Sequence, residues 1–321
     1  MGELKQLRFL VAGAGSAGLG VSTMLVNGLV AQGLTEEEAL SRFWVCDQHG
    51  LVGAGRASEE GADPAALRFA RGDEAGELPD KASLEEVAAH AAPTVLLGLT
   101  AQPQIFTEAL VRQMHANAKA ERRRPIVFPL SNPTERCECT AEQAFEWTDG
   151  EAIFASGSPF DPVTNLKHGL DAFKPSQCNN MFIFPGIGLA ASVGGLKKIT
   201  DAQIYAAAEA LAEAVPDEAL RRGHVFPDVS DIRDVSFAVA LGVIEQAEKE
   251  GLTTKIDEKA RGDMRAHVLK KMYTPFYVPL VASGRPLCIL YIQEIKPARR
   301  SVRWRVSAAL DHGEIQFRPA Y

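Results

Sequence analysis

The chain of 321 residues has an apolar content of 46% and a charged content of 23%, as in ordinary globular proteins, and its net charge of −7 argues against nucleic acid as a principal partner. It contains no apolar run of the roughly 18 residues that a membrane helix needs, and its first residues lack the apolar core of a secretory signal. The five cysteines form no CxxC pair, so we expect reduced thiols in a cytoplasmic or organelle-matrix protein without membrane partners.

The first 160 residues alternate between short apolar runs and amphipathic helical patterns. The apolar runs predict strands at 7–12, 43–46, 94–99, 126–130 and, more weakly, 151–155. Helices are predicted at 16–30, 84–90, 105–118 and 141–147, and two segments are typical of capping boxes, Thr35-x-x-Glu38 and Thr140-x-x-Gln143. Continuously apolar strands separated by helices are typical of a parallel sheet covered on both faces. Right-handed crossovers then favour an α/β fold with a doubly wound, mostly parallel sheet of the Rossmann type.

After Pro185 the pattern changes to helices, predicted at 186–198, 201–215, 232–250 and 257–273, with Asp201 and Asp231 as candidate N-caps. We expect these additional C-terminal helices to pack on the sheet, so that residues 1–283 form one domain. Residues 284–321 carry seven Lys/Arg and three Asp/Glu, a net charge of +4, which leaves −11 for the rest of the chain. This basic tail, with an apolar run at 286–292, stays unassigned.

A glycine-rich turn follows the first predicted strand. It has the pattern GxGxxG and consists of Gly13, Ala14, Gly15, Ser16, Ala17 and Gly18. In such turns the first glycine permits the tight turn, the second lets a pyrophosphate approach the backbone, and the third permits close helix packing. A strand before the turn and a helix after it are the context that a dinucleotide site requires. The alternative is a plain strand–turn–helix corner with no ligand.

Asp47 ends the second predicted strand, where it would accept hydrogen bonds from the hydroxyls of an adenosine ribose. The three residues after it are Gln48, His49 and Gly50, none of which carries a permanent positive charge. Arg56 is the nearest strong cation, and we expect it to lie too far along the loop to hold a 2′-phosphate. The sequence therefore favours NAD as the cofactor, with NADP possible.

Two segments place asparagines where a ligand could meet them. Asn132 follows the predicted strand at 126–130, and Asn179 and Asn180 precede an apolar run that ends at Pro185. An asparagine at the carboxyl end of a strand can bind a carboxylate, a ribose or a carboxamide. The residue types in both segments are also common in turns. The residues alone are therefore compatible with either a binding site or a simple loop.

Together these motifs resemble the nucleotide-binding half of the malic enzyme family over about residues 4–280. The matching segments are 9–18, 44–47 with 50–51, 93–98, 102–103 with 106–107, 130–134, 138–142, 154–160, and 179–180 with 184–188. The resemblance implies oxidation and decarboxylation of (S)-malate to pyruvate and CO₂, with reduction of NAD(P)⁺ and help from Mg²⁺ or Mn²⁺. It also implies that Asn179 and Asn180 bind malate, and that Asn132 contributes to both the malate site and the nicotinamide end of the cofactor site.

The departures from the family are as informative as the match. The family's catalytic tyrosine, catalytic lysine and acidic metal ligands lie before the glycine turn, and this chain begins only twelve residues before Gly13. We therefore expect the catalytic half to be absent from this chain, with no catalytic or metal-ligating residue in it and no activity of the chain alone. Gly18 stands where many relatives carry Ala.

The expected partners are a small substrate, malate or pyruvate, and either a second copy of the chain in a homo-oligomer or the missing catalytic half. Two other functions stay open. One is a non-catalytic, stand-alone dinucleotide-binding module with a sensing or assembly role. The other is a different dehydrogenase that uses the same half-fold.

Overall fold

A seven-stranded sheet lies at the centre of the fold, with helices on both faces. The computed structural model describes residues 4–58, 63–72, 78–164 and 172–273. Its strands are β1 (Phe9–Ala12), β2 (Phe43–Asp47), β3 (Gly50–Leu51), β4 (Val95–Gly98), β5 (Ile126–Pro129), β6 (Ile153–Ser156), β7 (Val163–Thr164), β8 (Ala172–Phe173) and β9 (Ser176–Gln177). Its α-helices are α1 (Ser16–Ala31), α2 (Glu36–Leu40), α3 (Pro64–Leu67), α4 (Leu84–Ala91), α5 (Glu108–Ala120), α6 (Ala141–Trp147), α7 (Phe184–Gly194), α8 (Asp201–Glu213), α9 (Asp217–Arg221), α10 (Ile232–Lys249), α11 (Glu258–Gly262) and α12 (Met264–Lys271).

The order of strands in the sheet is β3-β2-β1-β4-β5-β6-β9, and every pairing is parallel except that of β2 with β3. From β1 the chain moves outward through β2 to β3, and it then returns to the other side of β1 with β4. This reversal leaves a crevice at the carboxyl ends of β1 and β4, which is where doubly wound sheets bind ligands. The predicted α/β fold with a doubly wound, mostly parallel sheet is confirmed.

Side chains from the two faces of β1 enter two different hydrophobic clusters. Phe9 and Val11 pack with residues of α1 and α2, whereas Leu10 and Ala12 pack with residues of α4, α5 and α6. Because both faces of the sheet are covered, its central strands are continuously apolar instead of alternating. The two clusters fix β1 from both sides, and its carboxyl end is the start of the glycine turn.

Hydroxyl side chains begin several of the helices that flank the sheet. Both predicted capping boxes are present, with Thr35 at the start of α2 and Thr140 at the start of α6. A third box, which was not predicted from the sequence, begins α4 at Ser83. Each box satisfies amide groups that a helix start leaves without intrahelical partners.

The predicted N-caps of the C-terminal helices need correction. Thr200, and not Asp201, caps α8, because its side chain accepts a hydrogen bond from the amide of Gln203. Asp201 is the first helical residue, where the helix dipole favours a carboxylate. Asp231 does precede α10, but its side chain makes no capping hydrogen bond.

The C-terminal helices pack around α10, which contacts α7 and α8. Helix α8 lies against α1 at Gly28, where a Cβ atom would be 3.1 Å from the ring of Tyr205. The prediction of a single helix at 257–273 is wrong, because the segment contains two helices, α11 and α12. They are separated at Asp263, whose φ of −150° and ψ of 80° are not helical. None of the helices in the described ranges is long and apolar enough to cross a membrane.

Residues Met1–Lys270 form one compact unit. The predicted boundary at residue 283, the basic tail at 284–321 and its apolar run at 286–292 lie outside the described residues, so these expectations stay predictions. Four of the five cysteines fall within the described ranges, and all four are free thiols.

The capping box of α6 provides a test of these local contacts. In Thr140→Ala the amide of Gln143 loses the acceptor that now lies 3.2 Å away. We expect the free energy of unfolding in urea to fall by about 1 kcal/mol. The matched control is Thr134→Ala at a nearby exposed threonine, which should leave that free energy unchanged. Equal effects of the two substitutions would contradict the assignment.

Candidate functional site

The glycine turn joins β1 to α1 through contacts between backbones. Gly13 has a left-handed φ of +115°, and its amide donates to the carbonyl of Cys46 at 2.8 Å. A Cβ atom on Gly13 would lie 2.4 Å from the carbonyl oxygen of Leu99, and one on Gly18 would lie 1.8 Å from the carbonyl oxygen of Gly13. Both glycines are thus required by the neighbouring backbone, and the turn would have to open to admit an alanine at position 18.

Gly15 has a different environment from the other two glycines. No atom of the described chain lies within 4 Å of the place where its Cβ would be, and its φ of −84° and ψ of −175° are accessible to any residue. The fold itself therefore does not need glycine at this position. The open space lies directly against the backbone, and it fits the close approach of a pyrophosphate.

The start of α1 is uncapped. Its N-cap, Gly15, has no side chain to offer, whereas serine or threonine side chains cap α2, α4, α5, α6 and α8. Residues Gly15, Ser16 and Ala17 are exposed, and the first turn carries no acidic side chain. Amide groups at such a helix end carry a partial positive charge, which suits an anionic group.

Asp47 ends β2 beside the turn, and it forms an ion pair with Arg56. The distance from Arg56 Nη2 to Asp47 Oδ2 is 2.7 Å, and the amide of His49 donates to Asp47 Oδ1, also at 2.7 Å. The expectation that Arg56 lies too far along the loop is therefore wrong. The chain reverses directly after Asp47 because β3 pairs antiparallel with β2, and the following residues therefore run back alongside β2.

The electrostatics of this pair follow from its partial burial. Burial raises the pKa of the Asp47 carboxyl, but the hydrogen bonds from Arg56 and His49 outweigh it and hold that pKa below its usual value. Asp47 is therefore ionised at neutral pH. The stability that its interactions contribute is present above the unfolded-state pKa and is lost as pH falls through the lowered folded-state pKa.

Asn132 reaches the same edge of the sheet from the end of β5. It is exposed, its Oδ1 accepts a hydrogen bond from Ser158 Oγ at 2.7 Å, and its peptide bond to Pro133 is cis. Gly157, just after β6, permits this contact: a Cβ atom there would lie 2.7 Å from Asn132 Nδ2. The loops after β5 and β6 are thus packed directly on one another.

Asn179 and Asn180 lie on the far side of Gly157. Asn179 Nδ2 donates to the carbonyl of Gly157 at 3.4 Å, and its Oδ1 accepts from the amide of Met181 at 2.9 Å. Asn180 is exposed and begins a short 3-10 helix, Asn180–Phe182. The structure therefore brings two of the predicted asparagines, Asn132 and Asn179, together at Gly157, and Asn180 directly follows Asn179.

Glu138, which the sequence did not mark as a site residue, joins these loops to the glycine turn. The side chain is fully buried and accepts four hydrogen bonds, from the amide and hydroxyl of Thr100 and from those of Ser131. Thr100 follows Leu99, whose carbonyl contacts Gly13. The signal in the sequence was a charged residue between two cysteines, Cys137 and Cys139, which are both buried.

The residues around the crevice do not fit a divalent-cation site. Within the described parts of the chain, no group of three or more His, Cys, Asp or Glu side chains is placed to hold a metal ion. Asp47 already pairs with Arg56, and the buried Glu138 already receives hydrogen bonds from Thr100 and Ser131.

The doubly wound sheet, the glycine turn and the acidic residue at the end of β2 define a dinucleotide-binding domain of the Rossmann type. A family model described as malic enzyme, NAD binding domain, matches residues 1–248. The chain belongs to the malic enzyme family, as its motifs predict.

Curated relatives include enzymes named for either nicotinamide cofactor. The NADP-dependent malic enzyme of Dictyostelium discoideum is 40% identical over 275 residues, which are 85% of this chain and 48% of that protein. The NAD-dependent malic enzyme of Edwardsiella ictaluri is 38% identical over 283 residues, 88% of this chain and 47% of that protein. The human NADP-dependent malic enzyme is 36% identical over 300 residues, 94% of this chain and 49% of that protein. The chain thus spans about half the length of these relatives.

Solved structures of malic enzymes share the fold. The enzyme from Entamoeba histolytica matches with a TM-score of 0.59 and 22% identity, over 84% of this chain and 48% of that one. The enzyme from Pyrococcus horikoshii also matches with a TM-score of 0.59, with 21% identity, over 83% of this chain and 54% of that one.

The contrast between Gly13 and Gly15 can be measured. Gly13→Ala combines a left-handed φ with a contact to the Leu99 carbonyl, so we expect it to lower the free energy of unfolding by roughly 1–3 kcal/mol. Gly15→Ala has open space and an ordinary backbone conformation, and we expect a change below about 0.5 kcal/mol. NADH titration of the Gly15 variant should nevertheless show weaker binding. Equal loss of stability in both variants would contradict this reading of the turn.

Proposed function

We propose that this chain is the NAD(P)-binding part of a malic enzyme-like oxidoreductase. The overall reaction converts (S)-malate and NAD(P)⁺ to pyruvate, CO₂ and NAD(P)H. The observation that carries the proposal is the open space at Gly15 beside the uncapped start of α1. An anionic pyrophosphate is the group that fits both features.

The proposed cofactor lies across the crevice with its adenosine toward β2. The amide groups at the start of α1 hold the pyrophosphate, and Asp47 accepts hydrogen bonds from the adenosine ribose. Both Asp47 oxygens have lone pairs left beyond the contacts to Arg56 and His49. The nicotinamide half then extends toward the loops that follow β4, β5 and β6.

We propose a preference for NAD, with NADP also accepted. The Asp47 side chain is the more exposed partner of its ion pair, 24% against 11% for Arg56, so a ligand meets a carboxylate that repels a 2′-phosphate. Arg56 offsets part of that charge, and the exclusion of NADP is therefore incomplete. This agrees with relatives that are named for one cofactor or the other.

Asn132, Asn179 and Asn180 are proposed to bind the malate and, in the case of Asn132, the nicotinamide end of the cofactor as well. In support, Asn132 and Asn179 both lie against Gly157 at the carboxyl edge of the sheet, and Asn132 and Asn180 are exposed. Amide side chains offer donors to the carboxylates of a dicarboxylic acid without adding charge of their own. When bound, the dinucleotide supplies the acceptor for the hydride that leaves C2 of malate.

We propose that the described residues hold the cofactor and one side of the substrate, and that the proton-transfer groups and the divalent cation belong to a separate catalytic half. No described cluster fits Mg²⁺ or Mn²⁺. The chain of 321 residues is accordingly proposed to bind the dinucleotide weakly and to turn over no malate alone.

Two measurements on the purified chain test this proposal. We expect saturable NADH binding by fluorescence, and no NADH production from malate and NAD⁺ with Mn²⁺. Addition of the separately expressed catalytic half of a relative should restore turnover. Malate-dependent NADH production by the chain alone would overturn the proposed division of labour. Binding that never supports turnover would favour a sensing or assembly module.

The Asp47–Arg56 pair yields a prediction for cofactor choice. In Asp47→Asn the carboxylate that repels a 2′-phosphate is removed, so we expect the ratio of NADPH affinity to NADH affinity to rise at least about tenfold. In Arg56→Gln the same ratio should fall, because the carboxylate loses its cationic neighbour. The matched control is Arg112→Gln at an exposed arginine that pairs with Glu108. A wild-type chain that clearly prefers NADPH would contradict our argument from Asp47.

A further inference from the structure

We propose that Glu138 is a positioning residue for the nicotinamide end of the dinucleotide site. It holds the loop after β4 and the loop after β5 in one fixed arrangement, although it is itself fully buried. The inference rests on the proposed function of the crevice, and Glu138 is the residue on which the shape of its nicotinamide end depends.

The Glu138 carboxylate is the point where two loops meet. Its Oε1 accepts hydrogen bonds from the Thr100 amide at 3.0 Å, the Thr100 hydroxyl at 2.9 Å and the Ser131 hydroxyl at 2.5 Å. Its Oε2 accepts from the Ser131 amide at 3.3 Å. A buried carboxylate is unfavourable unless such donors compensate it, and here four do so.

The hydroxyl groups of Thr100 and Ser131 also fix the orientation of neighbouring backbone amides. The Thr100 hydroxyl accepts from the amide of Gln102 at 3.0 Å, and the Ser131 hydroxyl accepts from the amide of Ala101 at 2.8 Å. Each hydroxyl donates to the carboxylate and accepts from an amide, which uses its hydrogen-bonding capacity in both directions. Three consecutive amides, at residues 100–102, are therefore oriented by one side chain.

Ala101 shows that this arrangement is imposed on the loop. Its φ of +55° lies in the left-handed region, which is unfavourable for a residue with a Cβ. Such a conformation persists only where the surroundings stabilise it, and the hydrogen bond from the Ala101 amide to Ser131 is one contact that contributes here. Gly98 supplies the room, since a Cβ atom there would lie 2.5 Å from Glu138 Cδ.

These loops lie on the nicotinamide side of the crevice. The strand order puts β2, with Asp47, on one side of β1, and puts β4 and β5 on the other. A dinucleotide with its adenosine at Asp47 and its pyrophosphate at the turn must place its nicotinamide beyond β4. Thr100 adjoins Leu99, which contacts Gly13, and Ser131 adjoins Asn132.

A neutral amide fills this position less well than the carboxylate. In Glu138→Gln the NH₂ group must replace either Oε1, which accepts from Thr100 and the Ser131 hydroxyl, or Oε2, which accepts from the Ser131 amide. At least one donor then faces another donor, and the remaining hydrogen bonds are made to an uncharged oxygen. The loops at residues 100–102 and 131–132 are therefore held less firmly. The glycine turn and Asp47 make no hydrogen bond to Glu138, so the adenosine end keeps its own contacts.

The test compares two probes on the same protein. NADH contains the nicotinamide ring, whereas ADP-ribose has the same adenosine and pyrophosphate without it. For Glu138→Gln we expect NADH affinity to fall about tenfold, with ADP-ribose affinity changed less than about twofold. The enhanced emission of the bound reduced nicotinamide should also be lost. Exposed Glu135, in the same connection, supplies the control Glu135→Gln, for which both affinities should match the wild type.

Ser131→Ala keeps the carboxylate of Glu138 but removes the hydroxyl that donates to it. This second variant tests the positioning role if Glu138→Gln does not fold. It should also lower NADH affinity, by a smaller factor than Glu138→Gln does. Parallel loss of both ligands, or no loss of either, would overturn the positioning role. A wild-type chain that binds neither ligand would instead overturn the proposed function, and this inference with it.

Discussion

The contact of backbone on backbone at the β1–α1 turn is the constraint on which the rest of this site depends. The carbonyl of Gly13 occupies the place of a Cβ at Gly18, and the carbonyl of Leu99 occupies the place of a Cβ at Gly13. Three segments from β1, α1 and β4 therefore meet without any side chain between them. That closeness leaves the start of α1 directly at the crevice, where Gly15, Ser16 and Ala17 are exposed.

Charge is distributed unequally along the crevice. On the β2 side, a half-buried carboxylate and guanidinium nearly cancel, and the carboxylate remains the more exposed of the two. On the β5 side, the carboxylate of Glu138 is withdrawn into the interior and is surrounded only by donors. The centre carries the uncapped helix start. A ligand would thus meet a slightly acidic end, a positive centre and a neutral end formed by amide groups.

The sequence predicts the long elements well, because burial on both faces leaves an unmistakable apolar pattern in β1, β2, β4 and β5. It misses β3 and β9, which are two residues long and exist only because a neighbouring strand supplies hydrogen bonds. The predicted position of Arg56 is wrong for a related reason. Arg56 lies close to Asp47 because the unpredicted pairing of β3 with β2 reverses the chain. The role of Glu138 is not apparent from the sequence, because its partners, Thr100 and Ser131, follow other strands. The asparagine positions come from loop chemistry and from family motifs, and their role in binding stays a prediction.

The candidate site is built from residues that whole helices separate along the chain, and this has a consequence for folding. Gly13, Asp47, Thr100, Asn132 and Asn179 meet only when β1, β2, β4, β5 and β6 have all joined the sheet. Such non-local pairings form late and slowly, so a partly assembled sheet offers no complete crevice. A dinucleotide that binds only the finished crevice stabilises the folded chain by mass action. Cofactor supply in the cell would then set how much of this chain persists in its folded form.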